Sequence, residues 1–441
     1  MKPSRAISRR KFLASASAGA GALAAPSVVP ASALGLGRAV APSDRIAIGF
    51  IGTGDHGVER NLKRFLSEPD AQVVAVCDVD RPRREGAKRL VEERYAKGRE
   101  GGMHRGCDAY NDLREIVGRK DIDAVCVSTP DHWHALASVL ALREGKDVIC
   151  EKPLTLTVGE GRVLADTVRR HGRVFQTASE NRSLPCYHRM AELVRNGRIG
   201  KLRTIRVGLP KGYWVRAASE EVGPPPDGFD FDLWLGPAPE AEYSEARCHW
   251  NFRWIFDYSG GMLTDWGAHL IDIAQWGNGT ELTGPVEVEG KGTFPDRGLY
   301  NTATEFHVEC LYENGVRLFI DSDQPSIRFE GSDGWTESVG WGAAPRASSP
   351  EILESKIEDG EVHLATCPAG EQRNFLDCVK SRKDPYAPAE VGHRTITIAH
   401  LGNIAMLLGR KLRWDPKRER FQRDPAADWM LTRQMRWPWH L

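Results

Sequence analysis

One stretch constrains this chain more than any other. Arg45-Ile46-Ala47-Ile48-Gly49-Phe50-Ile51 reads as a buried strand and runs directly into Gly52-Thr53-Gly54-Asp55-His56-Gly57. A helical stretch follows with Val58, Leu62 and Phe65 on one face, then an apolar run from Gln72 to Val76. Asp78 comes next, 21 residues after Gly57. Strand, G-x-G-x-x-G, helix, strand and acid in that order form the fingerprint of a dinucleotide-binding βαβ unit. Gly52 makes the tight turn, Gly54 lets the backbone approach a pyrophosphate, and Gly57 allows close helix–strand packing. The helix N-terminus offers its free N–H groups to the phosphates. Asp78 is placed to accept from the adenosine ribose hydroxyls and to repel a 2′-phosphate, which favours NAD over NADP. Arg81 nearby keeps a minor case for NADP.

The alternation continues down the chain. Strand-like runs at 123–128, 147–150 and 174–177 enclose helical patterns at 133–144 and 158–170. Strands separated by helices imply right-handed crossovers and a doubly wound parallel sheet. Ligands then sit beyond the carboxyl ends of the strands, where Thr129-Pro130-Asp131-His132-Trp133-His134 and Glu151-Lys152-Pro153 fall. The second half changes character. Short strand-like runs at 202–207, 286–290, 304–312, 316–320 and 327–330 are separated by turns, Asn314-Gly315 among them. Segments 217–230 and 331–362, rich in Gly, Pro, Ser and acids, read as exposed loops.

Several function classes are excluded early. The 60 basic and 60 acidic side chains cancel, so the basic excess of a general nucleic-acid binder is missing. No apolar run reaches the ~18 residues of a membrane-spanning helix. Nine cysteines without C-x-x-C spacing are neither a disulfide framework nor a zinc ribbon, and Cys77, Cys126 and Cys150 read as small buried hydrophobes. The first 33 residues are leader rather than fold. Lys2, Arg5, Arg9, Arg10 and Lys11 precede a weakly apolar stretch from Phe12 to Val29, and Ala31-Ser32-Ala33 offers a processing site. Ser8-Arg9-Arg10-Lys11-Phe12-Leu13 resembles the twin-arginine export motif, which implies a periplasmic or otherwise exported protein, membrane-tethered if the leader stays uncleaved.

Val148-Ile149-Cys150-Glu151-Lys152-Pro153-Leu154 resembles the E-K-P signature of the Gfo/Idh/MocA oxidoreductases. Thr129-Pro130 followed by His134 is similar to that family's T-P-x-x-x-H loop. Arg198-Ile199-Gly200 resembles its entry into the second domain, and Gly260-Gly261 followed by Asp265 and His269 resembles its catalytic helix. The resemblance runs from about residue 44 to 410. It implies an α/β fold: an N-terminal Rossmann domain, then an α+β domain with a large, open, mostly antiparallel sheet. The division expected is a leader over 1–33, a nucleotide-binding domain over 44–178, a substrate and oligomerisation domain over 179–415, and a tail over 416–441.

The resemblance also implies roles. Asp55, His56, Thr129, Pro130, His134, Glu151 and Lys152 join the glycines and Asp78 at the cofactor. Lys152, Asp265 and His269 are catalytic, with Lys152 and His269 both open as the base for a hydroxyl proton. Asp265 and His269 stand four apart, on one face if their segment is helical. Position rather than resemblance assigns the substrate side: Arg182 and Tyr187 follow the last Rossmann strand, and Trp250 and Arg253 lie in the aromatic run 248–258. A metal reading, with His132 and His134 joining Asp265, His269 and Asp272, is the lesser alternative, and no metal is expected. The activity implied is hydride transfer at a secondary alcohol of a sugar, polyol or glycoside, with NAD retained and a dimer or tetramer expected. The alternatives are a redox-neutral, NAD-dependent glycosidase and a non-catalytic carbohydrate-binding protein.

Overall fold

The computed structural model describes residues 40–97 and 106–441, and the twin-arginine leader read over 1–33 lies outside the described residues. The chain divides into a unit of residues 1–45 and a unit of residues 46–441. In the first, the described part holds a short 3-10 turn, Pro42–Asp44.

The larger unit contains both sheets. β1 (Ile46–Ile51), β2 (Ala71–Cys77), β3 (Asp108–Tyr110), β4 (Ala124–Val127), β5 (Asp147–Glu151) and β6 (Phe175–Ala178) form a six-stranded sheet in the order β3-β2-β1-β4-β5-β6. All its pairings are parallel. The order reverses between β1 and β4, and that switch point is where a ligand crevice opens in a doubly wound sheet. β4 and β5 are buried along their whole length, as expected of strands covered on both faces.

The second sheet has nine strands: β7 (Leu202–Leu209), β8 (Glu287–Thr293), β9 (Glu305–Leu311), β10 (Arg317–Ser322), β11 (Ser326–Gly331), β12 (Trp335–Val339), β13 (Arg346–Ala347), β14 (Leu412–Asp415) and β15 (Arg420–Phe421). Its pairings are antiparallel except β7 with β10. β9 alternates exposed and buried residues, the mark of a sheet packed on one face. The buried face carries the helices Gly267–Asn278 and Ala389–Leu408.

Two regions differ from the sequence reading. Segment 331–362, expected as loop, contains β12, β13 and the helix Pro350–Glu354. Its strands are short and interrupted by glycines, so they leave no alternating pattern long enough to see. Residues 416–441, set apart as a tail, are folded. β15 closes the sheet, the Gly159 N–H donates to Leu431 O at 2.8 Å, and Trp439 meets Trp133 edge-on with centroids 4.9 Å apart. Among the described residues no helix is long and apolar enough to cross a membrane.

Candidate active site

The glycine turn follows from simple geometry. Gly52 has φ +90°, and a Cβ there would stand 2.6 Å from the Ser128 backbone. A Cβ on Gly57 would stand 2.6 Å from Gly52 O. Neither position takes a side chain without moving main chain, so β1, β4 and the following helix close up only with glycines. That helix is π-wound over Gly57–Leu62 before turning α over Lys63–Phe65.

Beside this turn lies a cleft with about 1180 Å³ of space, part of it open to solvent. Gly52, Gly54, Asp55, His56, Gly57, Asp78, Thr129, Pro130, Glu151, Lys152, Trp250 and Arg253 line it, which brings together most of the residues nominated from sequence. Asp78 Oδ2 accepts from the Thr53 N–H at 2.7 Å and from its hydroxyl at 3.1 Å, and Oδ1 accepts from the Asp80 N–H at 3.0 Å. Burial pushes the Asp78 carboxyl up, and those N–H groups oppose the shift. Each carboxylate oxygen can accept more than once, so Oδ1 keeps capacity for a ribose hydroxyl. The cleft therefore fits a dinucleotide: a Cβ-free turn, an acid at the end of β2, and a buried Thr129 hydroxyl with no partner among the described residues.

Glu151 is fixed from two sides. Asn61 Nδ2 donates to Oε1 at 2.7 Å, and His56 Nε2 lies 3.0 Å from the same oxygen. Burial would raise the Glu151 carboxyl, but His56, Asn61 and Lys152 outweigh it and bring it down to about 2. Lys152 then crosses to the second half of the chain. Its Nζ stands 2.8 Å from Asp265 Oδ1, with both side chains 13% exposed. Burial would raise the Asp265 carboxyl too; Lys152, and Arg253 at 3.6 Å, hold it well below the usual range.

Asp265 ends the helix Met262–Asp265, and a break at Trp266 separates it from Gly267–Asn278. The segment 263–272 is thus helical in two pieces, with Asp265 and His269 on different ones. His269, on the second, is 7% exposed, with Nδ1 3.3 Å from Asn181 Oδ1 and no hydrogen-bond partner for Nε2 among the described residues. Burial, then the nearby Lys152 charge, pushes the His269 pKa well below 6.5, so the imidazole is neutral at neutral pH.

Five nominated residues are not among those lining the cleft: Asp265, which adjoins it through Lys152, His269, whose Nδ1 faces Asn181, and Arg182, Tyr187 and His134. Arg182 is buried, its guanidinium held by Asp272 at 2.7 and 2.8 Å and by Glu281 at 2.8 Å. The charge pairing that satisfies it leaves no donor facing the cleft. Tyr187 is buried, and its hydroxyl accepts from the Gly342 N–H at 3.0 Å. His134 lies between Thr129 O and Pro153 O, at 2.9 and 2.8 Å, and as a neutral imidazole donates to one of the two carbonyls. Among the described residues no group of three or more His, Cys, Asp or Glu side chains stands where it could hold a metal.

Sequence reasoning missed a covering segment. Arg216, Phe229, Trp234 and His249 come from the second half yet line the cleft. Arg216 Nη1 donates to Asp55 Oδ2 at 2.5 Å, the Arg81 N–H to Gly228 O at 2.8 Å, and the Asp230 N–H to Val79 O at 3.0 Å. Arg81, considered for a 2′-phosphate, packs against Gly228; Arg83 instead overhangs Gly54. Only the uncommon cluster Arg216, His249, Trp250 and Arg253 hinted at this in the sequence.

A doubly wound sheet with a glycine turn at its switch point, meeting an α+β domain across a lysine–aspartate pair, defines a two-domain dinucleotide-binding protein. The chain belongs to the Gfo/Idh/MocA oxidoreductase family. Residues 46–179 match the family's NAD-binding Rossmann fold and residues 188–441 its C-terminal alpha/beta domain. It is 29% identical over 233 residues to dTDP-3,4-didehydro-2,6-dideoxy-alpha-D-glucose 3-reductase of Streptomyces antibioticus, covering 53% of this chain and 57% of that one. It is 32% identical over 136 residues to a glycosyl hydrolase family 109 protein of Shewanella pealeana, covering 31% and 28%. The chain thus spans less than two thirds of the length of either curated relative. The fold is also that of an aldose-aldose oxidoreductase from Caulobacter crescentus (TM-score 0.61, 17% identity, 84% of this chain and 99% of that one).

Proposed function

We propose that this protein is an exported, NAD-dependent oxidoreductase that removes hydride from a secondary alcohol of a sugar, polyol or glycoside and keeps its cofactor bound. The observation that carries the reading is the Lys152–Asp265 pair, whose lysine lines the cleft. NAD, when bound, supplies the hydride acceptor. Lys152, paired with Asp265, donates a hydrogen bond to the reacting oxygen and eases loss of its proton. The proton goes to His269, neutral at neutral pH, or to Lys152, the two nominated bases. The similarity to a deoxysugar reductase supports the substrate class.

Retention of the cofactor is supported by the covering segment. Arg216, Gly228 and Asp230 tie this segment to the Rossmann half beside the cleft, contacts that would slow a dinucleotide's departure. Export by the twin-arginine route would carry the cofactor out already bound, into a compartment without a nicotinamide pool, and a homo-oligomer is part of the same reading.

A second reading follows from the similarity to a glycosyl hydrolase family 109 protein. In it the hydride goes back to the same sugar after elimination and hydration, so a glycoside is cleaved with no net redox change. One experiment tests both. The protein is recovered from the exported fraction, part is denatured, and the supernatant is assayed for nicotinamide nucleotide; the rest is given a single glycoside without an acceptor. Bound NAD with one stoichiometric reduction supports the dehydrogenase, and cleavage without net reduction supports the hydrolytic route. A protein that carries no nucleotide and binds none sinks both, leaving a non-catalytic carbohydrate-binding protein on the same fold.

A further inference from the structure

Beyond Lys152 the site continues into tryptophans that the hydride-transfer chemistry does not use. Trp341 meets His269 with ring centroids 4.7 Å apart, Trp266 meets Trp341 at 5.6 Å, and Trp214 meets Trp266 at 5.5 Å. The row returns to the cleft at Trp250, whose indole N–H donates to Trp214 O at 2.6 Å. Trp214 is 45% exposed and Trp341 37%. Large aromatic side chains left open next to a reacting centre cost burial that the fold could have used, which marks a recognition surface.

The placing of Trp341 is built. Gly340 and Gly342 both have positive φ, +97° and +65°, so the tip of the β12–β13 hairpin turns through conformations that side chains disfavour. The Tyr187 hydroxyl accepts from the Gly342 N–H, and the Tyr187 ring packs against Trp341 with centroids 6.1 Å apart. Tyr187 is thus a positioning residue for Trp341. Arg216 and Arg253 flank the same row, their guanidinium carbons 4.1 and 4.4 Å from the Trp250 ring centre, and supply hydrogen-bond donors beside apolar ring faces.

We propose that Trp341 and Trp214, bridged by Trp266, form a second saccharide subsite, and that the substrate is a glycoside with a further pyranose beyond the one oxidised. The proposal rests on the saccharide reading above. A pyranose stacks its axial C–H groups on an indole face while its hydroxyls reach neighbouring donors. The indoles meet edge to face, which leaves the exposed parts of Trp341 and Trp214 for such stacking, and the row begins at His269, so the second ring lies in continuity with the first.

The test is calorimetric binding to the purified, full-length protein. The probes are a panel of methyl glycosides of neutral hexoses and the matching α- and β-linked disaccharides. The wild type is expected to bind at least one disaccharide more tightly than its methyl glycoside. Trp341→Ala and Trp214→Ala should each weaken that disaccharide about tenfold, the scale of one lost stacking contact with its buried area, and move the methyl glycoside less than about twofold. Trp341→Phe should restore most of the loss. Equal weakening of both classes, or tryptophan variants that bind as wild type, overturns the subsite alone. A variant that changes oligomeric mass also overturns it, because the row is then covered by a second copy. A wild type that binds none of the panel overturns the saccharide reading together with the subsite.

Discussion

Lys152 and Asp265 stand 113 positions apart in the chain and 2.8 Å apart in space, on opposite sides of the junction between the two sheets. Lys152 leaves the end of β5 and Asp265 the end of a one-turn helix, so the pair assembles only when both halves have folded together. A second cation, Arg253, lies 3.6 Å from the same carboxylate.

Lys152→Ala is expected to lower single-turnover hydride transfer by about a hundredfold or more, the usual scale for losing a positioned acid–base group. Bound nucleotide, assayed after denaturation, should remain, because the glycine turn and Asp78 are untouched. Loss of nucleotide along with activity would show that Lys152 serves binding instead.

Arg216→Ala removes the ion pair from the covering segment to Asp55. Both partners are more than half exposed, so the pair is worth at most ~1 kcal/mol, and nucleotide release should quicken by about fivefold or less. Stopped-flow exchange against labelled NAD measures it, and added salt should narrow the difference between variant and wild type.

Arg182→Met breaks a buried pair with Asp272 and should cost ~3–5 kcal/mol in chemical denaturation, since it strands a carboxylate among buried neighbours. Substrate preference among surviving molecules should stay as in the wild type. A change in preference without a stability loss would return Arg182 to the substrate.

The buried histidines' share of the stability should fall as the solution is acidified below about pH 6.5, whereas Asp131, raised by burial to about 7, acts with the opposite sign. Burial lowers His132 to about 3 and His400 to about 4, and pushes His134 and His269 down as well. Below 6.5 the unfolded chain takes up protons that the folded chain refuses, which favours unfolding. Glu151 adds a later loss: its folded value of about 2 lies under the ordinary 4.5, so its contribution is complete above 4.5 and fades towards 2. Urea midpoints at pH 7, 5.5 and 4 check the histidine limb. Glu151→Gln should flatten the limb below 4.5.

What the sequence determined by itself is what neighbouring residues settle. The turn at Gly52, Gly54 and Gly57, the acid at Asp78 and the strand-helix alternation follow from backbone sterics and period, which act over a few residues. Glu151 and Lys152 were legible because they follow a strand that had to end at the crevice. Tertiary structure decided the rest. Arg182 and Tyr187 follow the last Rossmann strand, yet Asp272, Glu281 and Gly342, 90 or more positions away, satisfy their polar groups and turn them from the cleft. Arg216 and Trp341 lie in segments read as loop or left unassigned, and only sheet pairing and cross-domain contacts carry them to the site. A side chain's polar partner is chosen by the fold, not by its neighbours in sequence.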